Sequence, residues 1–83
     1  MDMSDAERVV MQQHIAYWKG VMDQGKVIVF GPVFDPEGAY GMGVVEMDSE
    51  EDVNGFMAAD PSVLNSLNTF EIFAMRAVTP TPQ

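Results

Sequence analysis

Cysteine is absent from this 83-residue chain, and histidine occurs once, at His14. The first absence excludes disulfides and thiolate metal sites, and a single histidine leaves too few ligands for a structural zinc site within one chain, so no metal is expected. Basic residues are scarce as well. Four lysines and arginines stand against thirteen aspartates and glutamates, for a formal net charge of -9. Such a charge repels phosphate backbones and anionic headgroups over a Debye length of about 8 Å, so neither nucleic acid nor a membrane surface is expected as a partner. No run approaches the roughly 18 to 20 apolar residues needed to span a bilayer, and the N-terminus lacks a basic stretch followed by an apolar one. A soluble, cytoplasmic protein is the expectation. No Gly-x-Gly-x-x-Gly, no phosphate-binding loop and no serine nucleophile with a separate base and acid is visible, so no cofactor is expected.

What is present is apolar: 47% of the chain is hydrophobic, with eight methionines and five phenylalanines. That composition folds, but a chain of this length builds a marginal core unless a partner adds buried surface, so self-association is expected. Met11, Met22, Met42, Met47, Met57 and Met75 read as adaptable filling of core and interface rather than a cofactor box. One domain is expected over residues 1–83, with 1–4 as an N-terminal linker and 79–83 as a flexible Thr-Pro tail.

Ser4 followed by Glu7 is a capping-box pattern that predicts a helix from Asp5. Met11, Ile15, Trp18 and Met22 form an apolar stripe of helical period, with Val10, His14, Tyr17 and Val21 on the adjacent row, and Gly25 supplies the stop. Lys26–Phe30, ended by Gly31-Pro32, and Gly41–Met47 read as an antiparallel pair joined by a long loop containing Asp35-Pro36 and Gly38. Ser49 caps a second helix carrying Val53, Phe56 and Met57 inward. Asp60 before Pro61 caps a short third helical turn through about Ser66. Phe70–Val78 alternates imperfectly as a last strand. The predicted order is α-β-β-α-β in an α+β fold.

His14 with Tyr17 and Trp18, then Gly25, Gly31-Pro32, Asp35, Gly38, Gly41 and Ala59-Asp60-Pro61, in this order and spacing, resemble the YCII-related (YciI-like) family from about Met3 to Met75. The resemblance implies a ferredoxin-like β-α-β-β-α-β fold, dimerised through its sheets as an α+β barrel. It also implies a pocket centred on His14 and Asp60. The chain departs from the family in lacking the first strand, since Met1–Ser4 resembles the linker that follows it. In the usual strand order 4-1-3-2 that strand is central. Three resolutions are open: the last strand moves beside the second hairpin strand in a parallel crossover, a segment of another subunit inserts, or the start is truncated or misassigned.

An unperturbed imidazole titrates near pH ~6.5, which makes His14 the natural proton carrier of this chain. If Asp60 reaches it, the carboxylate orients the ring and leaves the other nitrogen to move a substrate proton, which suits isomerisation, elimination or hydrolysis of a small molecule. Capping alone also explains an aspartate before proline, and a helix-edge histidine often only packs. Tyr17, one turn after His14, is a candidate hydrogen-bond donor to substrate, though a tyrosine there equally packs its ring. Asp35 is a candidate contact from the loop, or a plain turn residue. The acidic run Asp48–Asp52 reads as a solvated first turn rather than a cation site. The competing function is a non-catalytic module that binds a small ligand or serves assembly.

Overall fold

The structure, a computed structural model, describes residues 4–80. Most of the expected linker, residues 1–3, and the tail residues 81–83 lie outside the described residues. Helix α1 spans Asp5–Asp23, strand β1 Val27–Val33, strand β2 Tyr40–Val45, helix α2 Glu50–Ala58 and helix α3 Pro61–Leu64. The chain is thus α+β, with β1 and β2 paired antiparallel. No helix among the described residues is long and apolar enough to cross a membrane.

Local chemistry sets the boundaries. The Glu7 amide donates to Ser4 Oγ at 3.2 Å and the Ser4 amide to Glu7 Oε1 at 3.0 Å, closing the capping box of α1. At the other end Gly25 takes φ +82°, while its amide bonds Met22 O and that of Lys26 bonds Val21 O. This is a Schellman closure, whose left-handed position favours glycine. Ser49 Oγ accepts from the Asp52 amide at 3.1 Å to start α2. The Asp60 carboxylate caps α3 by accepting from the Ser62 amide at 2.9 Å.

Two expectations are corrected. Strand β1 runs through Gly31-Pro32 rather than ending there; Pro32 pairs with Gly41, and on an edge strand its missing N–H need cost no ladder bond. Phe70–Val78 forms no strand among the described residues. A strand is held by its ladder, and this segment has no paired neighbour in the single chain.

The core is small: Trp18, Val27 and Phe56 are buried, with Tyr17, Val21, Met22, Phe30, Val45, Met47 and Met57 packed around them. Trp18 stacks obliquely on Phe30 and meets Phe56 edge-on, with centroids 5.3 and 4.7 Å away. The packed face of α1 is therefore centred between the two predicted rows, and Ile15 is left exposed. A two-stranded sheet and a short α3 cover less of the helix than a full sheet covers. Gly43 lies against the Trp18 indole, and a Cβ there would overlap the ring. Gly43→Ala is accordingly expected to cost about 1–3 kcal/mol, read as a fall in thermal midpoint. An unchanged midpoint would contradict this packing.

Candidate functional site

His14 and Asp60 come from α1 and the cap of α3, two elements that pack side by side. His14 Nδ1 lies 2.8 Å from Asp60 Oδ1 and 2.7 Å from Oδ2. An ionised carboxylate only accepts, so Nδ1 carries a proton, and in a ring with one proton Nε2 is then the acceptor. The imidazole is 21% exposed and the carboxylate 1%. Of the two side chains, the ring is the one that solvent reaches.

Asp60 has two further partners. The Trp18 indole N–H donates to Oδ2 at 2.7 Å, and the Ser62 amide and hydroxyl each donate to Oδ1 at 2.9 Å. With His14 these donors occupy the roughly four lone-pair sites of the carboxylate. Ser62 Oγ also approaches His14 Nδ1, but at 3.4 Å, and its proton points to Asp60. Burial raises the Asp60 carboxyl, while the bonds from Trp18, His14 and Ser62 outweigh it and hold the group below its ordinary range. Helix capping and orientation of His14 are thus functions of one carboxylate.

The other two predicted residues sit differently. Tyr17 stacks on Phe56, with ring centroids 5.1 Å apart, and donates its hydroxyl to Phe56 O at 2.7 Å. The hydroxyl proton is spent tying α1 to α2. Burial and then the Asp60 charge push its ionisation upward, which keeps it a neutral donor. Asp35 Oδ1 accepts from the Glu37 amide at 2.9 Å, and the Gly38 amide returns to Asp35 O. Exposed and engaged in this turn, the carboxylate serves the loop rather than the His14 pair.

Trp18 and Ser62 were not singled out as site residues from sequence. A signal existed for the first: an indole N–H in a small core needs an acceptor, and Trp18 lies four residues, one helical turn, after His14. For Ser62 the signal was weaker, because any residue at that helix position offers its amide to the cap.

Two open grooves lie elsewhere. One, of about 620 Å³, runs between α1 and the start of α2, beside Tyr17, Lys26, Glu46 and Asp52. The other, of about 370 Å³, lies beyond α3 at Val63, Ser66 and Phe70. Neither is lined by His14 or Asp60.

Comparison with curated proteins gives no match, and comparison with solved structures gives none. The model of the YCII-related domain matches residues 2–80. By that match over nearly its whole length, this chain is a member of the YCII-related family.

Proposed function

We propose that the chain is a small cytoplasmic acid-base enzyme in which His14 moves a proton of a small-molecule substrate and Asp60 fixes the ring. The observation that carries this is the Nδ1 contact of 2.7 Å to a buried carboxylate whose other lone pairs accept from Trp18 and Ser62. Such a carboxylate has no free lone pair with which to act as the base itself, so it sets tautomer and angle and leaves Nε2 to do the chemistry. Isomerisation, elimination and hydrolysis all fit one proton carrier without a resident cofactor or metal. The acidic surface disfavours a highly anionic substrate. Tyr17 and Asp35 are at most peripheral contacts, given where their polar atoms are engaged. The functional form is a homodimer or higher assembly of single ferredoxin-like domains of the α+β barrel type, as family membership suggests.

His14→Gln tests the role while keeping an N–H toward Asp60. In a screen of small ketones, lactones and enols, followed by solvent-deuterium incorporation and product formation in NMR spectra, the wild type is expected to turn over one class. The variant should lose about 10²–10⁴-fold while staying folded. Full turnover in His14→Gln sinks the acid-base role. The partial exposure of the His14 ring supports a second role, ligand binding without turnover. Saturable shifts of the His14 ring signals with no chemistry on the ligand distinguish it.

A further inference from the structure

The groove between α1 and the start of α2 has an apolar floor and a charged rim. On the floor Tyr17, Val21 and Met47 are half-buried and Phe56 is buried, with the Tyr17 and Phe56 rings stacked within 13° of parallel. The rim carries Lys26, Glu46, Asp48 and Asp52, all exposed. At about 620 Å³ the groove has the size of a small-molecule site, typically roughly 300–1,000 Å³, and the mixed lining that such sites use.

The rim is unbalanced. Three carboxylates stand against one ammonium, and none of the four is in an ion pair among the described residues. A second, separate feature has the same sign: α1 runs into the groove at Gln24 and Gly25, and its last turn holds no basic residue, so the negative end of its dipole is uncompensated there. The positive end of α2 is already met by Glu50 and Glu51 in its first turn. Carboxylates and dipole thus both draw a positive guest.

The shape of the charge selects what kind of cation. Among the described residues no group of three His, Asp or Glu side chains is arranged to hold a metal ion, so the rim carboxylates are spread rather than convergent. An organic ammonium suits that spread, because its N–H groups bond one carboxylate while the others act through space and its body covers the floor.

We propose that this groove binds a small primary amine with an aromatic or aliphatic body, the ammonium at the rim of Glu46, Asp48 and Asp52 and the body on Tyr17, Met47 and Phe56. Lys26 competes for the same carboxylates. Neither His14 nor Asp60 lines the groove, so the site goes beyond the acid-base role and does not depend on it.

The test is a titration of the ¹⁵N-labelled 83-residue chain with 2-phenylethylamine at neutral pH and low salt, read from amide shifts. Saturable shifts are expected at Gln24, Lys26, Met47 and Asp52, with a Kd below about 2 mM. The alcohol 2-phenylethanol, the same body without the charge, should bind at least about tenfold more weakly. Exposed charge pairs are individually weak, so Glu46→Gln and Asp52→Asn are combined, and the double variant should weaken the amine about fivefold or more. Lys26→Gln should instead tighten it about twofold, an opposite change that a loss of folding does not mimic. Glu37→Gln removes the same charge in the turn at the far end of the hairpin and should leave the Kd unchanged. Shifts that fail to saturate by about 20 mM amine would overturn the site, as would an alcohol that binds as well as the amine or a Lys26→Gln chain that binds it more weakly. So would a Glu37→Gln loss equal to that of the double variant, because the attraction would then belong to the whole acidic surface. None of these readouts involves turnover, so they stand or fall apart from the role of His14.

Discussion

Asp60→Ala is expected to lower the unfolding free energy by about 3–5 kcal/mol, measured by urea titration of circular dichroism. A domain of this length has about 4–12 kcal/mol in total, so the variant will sit at or near the edge of folding. The cause is the number of groups left behind. His14 Nδ1, the Trp18 indole N–H and the Ser62 amide and hydroxyl all address one carboxylate that is 1% exposed. Removing it orphans buried donors, and each unsatisfied donor costs about 1–3 kcal/mol, partly relieved where water enters. Asp60→Asn should fall between, because its amide retains one acceptor oxygen but turns an NH₂ toward donors. A loss below about 1 kcal/mol for the alanine variant would mean that the cluster is not formed in solution.

The same carboxylate sets a pH dependence. Its pKa in the folded chain is lowered, so near pH ~4, where the unfolded carboxyl takes up a proton, the folded one stays ionised. The stabilisation is complete above that value and is lost as pH falls through the lowered folded pKa. Wild-type stability should therefore drop on acidification below about pH 4, and the Asp60→Asn profile should be flatter there. Equal slopes would remove Asp60 from the acid transition.

Trp18→Ala is the second large effect, also about 3–5 kcal/mol. The indole is buried with Val27 and Phe56, touches Phe30 and Phe56, and covers Gly43. Trp18→Phe separates its two contributions: most of the packing stays, while Asp60 loses one of its donors. The phenylalanine variant should recover more than half of the loss and leave His14 seated, seen as a retained proton on Nδ1 in long-range ¹H–¹⁵N correlation. A phenylalanine variant as unstable as the alanine one would make the indole N–H dominant and the packing account wrong.

The helix ends were legible because capping is local. Ser4 with Glu7, Ser49, Asp60 and Gly25 each act within a few residues of themselves. The partnership of His14 with Asp60, 46 residues apart, was not legible from spacing and came from family resemblance. The indole N–H was overlooked because Trp18 was counted for its apolar ring alone. The last segment failed for a different reason: its residues favour a strand, but ladder formation depends on an edge that local sequence does not describe. Strand β1 outran its Gly-Pro signal because proline is tolerated at a sheet edge.

The most direct measurement is the tautomer of the single histidine. With the ring neutral, long-range ¹H–¹⁵N correlation of His14 should show Nδ1 protonated and Nε2 bare, and Asp60→Asn should weaken that preference. A neutral ring protonated on Nε2 in the wild type would contradict the account, because Asp60 would then have nothing to accept from His14 and the exposed nitrogen would have no lone pair to offer a substrate.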